Sequence, residues 1–337
     1  MPYRLTTDII AEALFRGGEP TDGTSDYATQ IPDWVDRGYQ GIATGTLEAA
    51  PETHIPWWWL WSPTPGVITL QPNVGQRGSD GTVGLSQGST SILFSHVPAN
   101  PLGPVNLTGW NIKFLGSADQ SSSLDVFRIA SHTLGLTSAT LDSPYTGPSN
   151  GAAGFNAFNV EYDTPADLLY IVAPLRAYQT GREQVEVVSK HALENFFPLT
   201  QITFGIPNMA CFISEQRLRF SHYVGAGTNT AFVRIDFDYL RLPPTLTGAP
   251  GEEPLLPIKY RSILADYGLQ QLYVTKNDDR APAIGELIRG KITAMRREHL
   301  ARMNRDTNSF GRIYPRQQDR ASIRGPWRTE SGFILSY

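Results

Sequence analysis

The hydrophobic period of this chain changes twice, and that excludes most architectures. Both ends repeat at helical spacing, while the long middle alternates as strands do. Near the start, Thr6, Thr7 and Asp8 offer N-caps, and Ile9, Ile10, Ala13 and Leu14 follow at helical intervals until Gly17-Gly18. Pro32 suits a first helical position, with Ile31, Trp34, Val35, Gly38 and Ile42 on one face of a second helix. The helical period returns late, in the stripe Tyr260, Ile263, Leu264 and Tyr267. Asn277-Asp278-Asp279 and Pro282 then open a last helix whose apolar face holds Ile284, Leu287, Ile288, Ile292, Met295 and Leu300.

Between these ends, short runs of β-formers are punctuated by Gly, Ser, Asn and Pro. They are Val67–Leu70, Ser91–Phe94, Trp110–Phe114, Asp125–Ile129, Phe155–Tyr162, Leu168–Ala173, Arg217–Phe220 and Ala231–Leu242. Such spacing predicts a small sandwich or barrel. Ser189–Phe197 reads as a short helix among the strands, and Pro243-Pro244 opens a Gly/Pro/Glu-rich linker. The expected fold class is α+β: a helical bundle formed by the N- and C-terminal helices, a large inserted β-sandwich or barrel-like region, and an extended C-terminal arm. The segments are 1–62, 63–254, 255–304 and 305–337.

Composition narrows the functional classes. With 40% hydrophobic and 11% aromatic residues there is material for a core. The single Cys211 excludes an internal disulfide framework and a Cys-based zinc knuckle, and fits a reducing compartment or a particle assembled in one. No apolar run reaches membrane-spanning length, and Met1-Pro2-Tyr3-Arg4 begins no secretory h-region, so no membrane association is expected. The net charge of −4 is uneven: residues 256–328 hold 15 of 28 Lys+Arg and 7 of 32 Asp+Glu, net +8, leaving −12 elsewhere. An acidic body with a basic C-terminal segment suggests two surfaces with different partners.

Catalytic signatures are scarce. His191 and Glu194 have ligand spacing on a helix but no second pair. Gly81-Thr-Val-Gly-Leu-Ser-Gln-Gly88 lacks the Lys-Ser/Thr of a phosphate loop and reads as hairpin turns. Cys211 has no apparent activating base, Glu252-Glu253 and Asp278-Asp279 suit solubility and capping, and Glu12 and Glu19 lie in helix-terminal contexts. The expectation is a non-enzyme without cofactor or metal; a cell-wall hydrolase using carboxylates is the enzymatic rival. Trp57, Trp58, Trp59 and Trp61 form either a packing or subunit-interface cluster or a stacking platform for a glycan. Residues 305–337 are rich in Arg, Gly and Ser yet contain five aromatics, which suits an arm that orders on a partner or one folded back on its own body.

In Asp8-Ile-Ile-Ala-Glu-Ala-Leu-Phe-Arg-Gly-Gly-Glu19, Trp34-Val-Asp-Arg-Gly-Tyr39, Leu255-Leu-Pro-Ile-Lys-Tyr-Arg261, Leu264-Ala-Asp-Tyr267 and Lys276-Asn-Asp-Asp-Arg-Ala281, the chain resembles the head-to-tail adaptor (connector) proteins of tailed bacteriophages. The resemblance implies a structural virion protein at the neck, assembled in the host cytoplasm. It would form a homo-oligomeric ring under a twelve-fold portal, extend the DNA channel, and meet the next tail component, a stopper, nozzle or tail tube. Genomic DNA would pass without sequence-specific binding, which an acidic lumen favours. Docking on the portal would fall to the arm, with Arg312, Tyr314, Arg316, Arg320, Arg324 and Trp327 as its anchors. The large β insertion departs from the simplest adaptors. A neck stopper or tail-completion protein, or a glycan- or receptor-binding β module of the tail, is the alternative.

Overall fold

In a computed structural model the chain is mixed α+β, described over residues 3–45, 57–75, 81–115, 125–172, 174–178, 182–225 and 233–310. Among these residues lie five α-helices: α1 (Thr6–Arg16), α2 (Ile31–Thr44), α3 (Lys190–Phe196), α4 (Ser262–Thr275) and α5 (Ala281–Phe310). The strands, in chain order, are β1 (Gly66–Leu70), β2 (Val74–Gly75), β3 (Val83–Leu85), β4 (Ser91–Phe94), β5 (Ala99–Asn100), β6 (Gly103–Pro104), β7 (Asn111–Leu115), β8 (Phe127–His132) and β9 (Ser138–Leu141). They continue with β10 (Asn150–Phe158), β11 (Glu161–Asp163), β12 (Leu168–Ile171), β13 (Leu175–Tyr178), β14 (Arg182–Val187), β15 (Met209–Ser214), β16 (Arg217–Phe220), β17 (Val233–Phe237) and β18 (Tyr239–Arg241). Two compact units result, one from 1–63 with 240–336, the other essentially 64–239. No described helix is long and apolar enough to cross a membrane.

In the first unit α4 is central and is contacted by α1, α2 and α5. Its buried residues, among them Ile263, Leu264, Ala265, Leu269 and Leu272, run round most of its circumference, as expected of a helix enclosed by others. Close approach depends on missing side chains: a Cβ on Gly38 of α2 would stand 2.6 Å from the Tyr267 ring, and one on Gly268 3.2 Å from Val35. α2 ends at Gly45, whose φ of 73° is the left-handed C-terminal conformation that glycine adopts at least cost. The cap of α1 differs from expectation. Leu5 holds the N-cap position, Asp8 accepts the Leu5 N–H at 3.0 Å, and Thr6 turns inward to donate through N–H and hydroxyl to the Glu252 carbonyl.

That last bond shows where residues 240–256 belong. Leu246 N–H donates to Asp36 Oδ1 (2.8 Å) and Leu255 N–H to Tyr39 Oη (3.0 Å), so this stretch, read from sequence as the end of the β region, is laced to α1 and α2. α5 also departs from its predicted face. Ile288, Ile292 and Met295 are buried, but Leu287 and Leu300 are exposed, because α5 packs on α4 through a narrower stripe than the sequence pattern implied.

The second unit has two seven-stranded sheets. One runs β2-β10-β3-β4-β9-β8-β7, and a further β7–β10 pairing closes six of these strands into a barrel. Ile92, Phe94, Ile112, Phe114, Ile129 and Phe155 fill it, projecting inward from alternate positions. The other sheet runs β1-β17-β13-β14-β15-β16-β11, with Ile68 opposite Ile235 in the β1–β17 register. Its one parallel pair, β14–β15, needs a crossover, and the connection contains α3, capped by Ser189 Oγ accepting the Ala192 N–H at 3.2 Å.

Candidate functional site

The tryptophan cluster is built on the last turn of α2 and the far part of α5. Residues Trp58–Leu60 form one 3-10 turn, and Trp61 bridges Leu240 in antiparallel fashion. Trp57 is buried and donates from Nε1 to the Ile42 carbonyl at 2.7 Å, satisfying an acceptor that the end of α2 leaves open. Trp59, also buried, stacks on Tyr39 with ring centroids 6.0 Å apart. Trp58 is half-buried. Its ring lies parallel to His299 of α5 at 5.7 Å, and the Arg302 guanidinium sits 4.8 Å from its centroid. His299 also meets Trp57 edge-on at 5.6 Å.

Two polar atoms in this cluster, Trp59 Nε1 and His299 Nδ1, are buried without a hydrogen-bond partner among the described residues. Burial pushes the His299 pKa down, so the imidazole is neutral near pH 7. Beside it, Glu298 accepts from Lys259, from Tyr260 Oη (2.5 Å) and from Arg302 (2.8 Å). These bonds, Lys259 foremost, hold the Glu298 carboxyl at about 2, while burial and Glu298 push Tyr260 up to about 12. The arrangement is a rigid indole–imidazole–guanidinium stack with a charged lock beside it. Of the four indoles only Trp61 is exposed, at 40%. The geometry can fix residues 298–302 of α5; it does not present a row of free rings.

The other sequence candidates fall as follows. Arg312, Tyr314, Arg316, Arg320, Arg324 and Trp327 lie outside the described residues. His191 Nε2 is 3.1 Å from Asn195 Nδ2, while Glu194 faces Lys190 and Arg219, each at 3.8 Å; among the described residues no group of three His, Cys, Asp or Glu could hold a metal. Cys211 is buried and its thiol pKa is raised by that burial, the opposite of what a nucleophile needs. Glu12 accepts from Tyr3 Oη at 3.3 Å, Glu19 is bound by Lys276 and Ser25, Glu252 accepts the Thr247 and Gly248 N–H groups, and Asp278 is bound by Arg280. The segment taken for hairpin turns holds a strand, β3, with a turn at Gly88 (φ 77°).

Among the described residues Arg219, Arg261 and Asp266 are buried charged groups that the sequence reading does not single out, and the last two hold the helical unit together. Asp266 of α4 is wholly buried; Oδ1 accepts from Arg16 of α1 at 2.6 Å and Oδ2 from Lys291 of α5 at 2.5 Å. Arg261 is 6% exposed and donates to the carbonyls of Leu256 (2.7 Å), Pro254 (2.7 Å) and Arg4 (2.5 Å), with Glu253 Oε1 at 2.9 Å. Its forked guanidinium suits donation to several acceptors at once better than a lysine could. Both occur in stretches quoted above for the adaptor resemblance. A single charged residue in an apolar helix is the signal that could have found Asp266. Comparison with protein-family models and with curated proteins finds no match for this chain.

Proposed function

We propose that this chain is a structural neck protein of a tailed bacteriophage, a head-to-tail adaptor that forms a homo-oligomeric ring beneath the portal. In this reading α1, α2, α4 and α5 are the adaptor's four-helix bundle, the β unit is an excursion between its two halves, and residues 305–337 are the arm that docks on the portal, although the structure continues α5 to Phe310, six residues into the expected arm. The observation that carries it is that helices from both ends of the chain build one unit around α4, with Asp266 and Arg261 joining segments about 250 residues apart.

The tryptophan cluster supports a mechanical role. An arm that transmits load between rings needs a fixed root, and the stack of Trp57, Trp58, His299 and Arg302 clamps α5 just before that arm. The basic composition of 256–328 suits a partner surface of opposite charge, and the acidic remainder suits a channel wall that repels DNA phosphates. A glycan-stacking role has less support, since Trp57 and Trp59 are buried and Trp58 is engaged by His299 and Arg302. Deleting residues 307–337 tests the assignment: portal affinity should be lost while the rest of the chain melts as before. Unchanged affinity would remove the arm from the account.

A further inference from the structure

One titratable group of the tryptophan cluster is buried with a permanent cation beside it. His299 is 1% exposed, parallel to Trp58 at 5.7 Å and edge-on to Trp57 at 5.6 Å. Arg302, one turn further along α5, lays its guanidinium 4.8 Å from the Trp58 centroid. Burial keeps the imidazole neutral near pH 7 by pushing its pKa below the ordinary 6.5. A proton added to this ring would make a second cation one helical turn from Arg302, drawing on an indole that Arg302 already engages. His299 Nδ1 also has no hydrogen-bond partner among the described residues.

The described groups around the ring offer a charged imidazole little. Its neighbouring anion on α5 is Glu298, which already accepts from Lys259, Tyr260 and Arg302. Lys259 and Tyr260, from the 3-10 turn Ile258–Tyr260 before α4, bring one further cation and one neutral phenol. The 57–61 turn brings indoles, and α2 brings Tyr39, stacked on Trp59. Glu48, Glu52 and His54 precede that turn in sequence, lie outside the described residues, and are tested separately.

The two fastenings of this part of α5 therefore differ in the acid each tolerates. Glu298 is held at about 2, so its bonds to Lys259, Tyr260 and Arg302 survive mild acid. The stack on His299 does not, because a group whose pKa is lowered in the closed state favours the open one as pH falls below 6.5. We propose that the cluster is a pH-sensitive latch, in which proton uptake by His299 frees the Trp57–Trp61 turn from α5 while the Glu298 lock keeps α5 on residues 259–260. The latch rests on the proposed function only in taking the cluster as a clamp on α5. It is read on the purified chain alone, so its failure and a failure to bind the portal are separate results.

Exchange of the Trp57 indole N–H, which bonds the Ile42 carbonyl, reports opening of the turn. It is followed by NMR in the full chain from about pH 7.5 to about pH 4.5, together with the His299 imidazole resonances. The protection factor, corrected for intrinsic exchange, should fall by up to about tenfold per pH unit below 6.5, with the Leu269 amide of α4 protected as before. The fall should vanish in His299→Phe and persist in Glu48→Gln/Glu52→Gln and in His54→Gln. Protection independent of pH in the wild type would overturn the latch, as would a fall that survives His299→Phe or vanishes in either control. A matching loss of Leu269 protection would overturn it too, since the whole helical unit would then be opening. Should His299→Phe not fold, the wild-type imidazole decides: it must titrate below 6.5 in step with the loss of protection, and titration at 6.5 or above refutes the proposal.

Discussion

Replacing Asp266 with Asn tests the helical unit at its centre. The substitution keeps the shape of the side chain and removes the one negative charge that joins α1, α4 and α5. Breaking a buried ion pair by deleting one partner costs ~3–5 kcal/mol, because the other charge is left buried. Here the stranded cations are not fully enclosed: the Arg16 and Lys291 side chains are 30% and 31% exposed, so both can recover some hydration. Lys291 also keeps its bond to Ser262 Oγ at 3.0 Å. The expected loss is therefore about 2–4 kcal/mol, which lowers the melting temperature of a unit this size by about 5–15 °C. Calorimetry with far-UV circular dichroism reads this out. The transition that removes helical signal should move, and the β unit's transition should stay, since Asp266 and both partners lie in the first unit. Little dependence on salt is expected, because Asp266 has no exposed surface to screen. A shift below about 1 °C would mean instead that Arg16 and Lys291 hold Asp266 no better than water does.

Three further outcomes follow from individual contacts. Gly38→Ala should destabilise the helical unit by about 1–3 kcal/mol, measured by chemical denaturation, because its Cβ would meet the Tyr267 ring at 2.6 Å. Trp57→Phe should cost at least about 1 kcal/mol by the same assay, through loss of the bond to the Ile42 carbonyl and the space left by the smaller ring. The third concerns pH: Glu298 is held at about 2 against an ordinary value of 4.5, so its bonds to Lys259, Tyr260 and Arg302 add stability above pH about 5 that disappears as pH falls through about 2. In Glu298→Gln the acid-limb slope of melting temperature against pH should be shallower by that one proton, and an unchanged slope would contradict the assignment.

Much of the fold was legible in the sequence because local chemistry decided it. The short helix over Ser189–Phe197 and the alternation of Val233, Ile235 and Phe237 were readable, since each depends on near neighbours. What escaped depended on distant ones. β2 and β3 are two and three residues long and hold glycines, so their pairing with β10 supplies a strand character that their own residues lack. β14 was overlooked although Val185 and Val187 alternate with exposed Gln184 and Glu186. α5 carried more leucines at helical spacing than α4 could cover, so the pattern overstated its buried face. The site divides in the same way. The unusual density of indoles was plain, but their use was set by His299 and Arg302, more than two hundred residues away, and the partners of Asp266 lie 250 residues before it and 25 after.

If, as we propose, this chain joins a portal to a tail, it must bind the portal itself. Co-sedimentation of the purified full-length chain with portal rings from its own particle measures that most directly. The account predicts saturable binding at a fixed number of copies per portal ring, lost when residues 307–337 are removed and retained in Trp61→Ala. A folded chain that leaves the portal rings unbound at every concentration would contradict it.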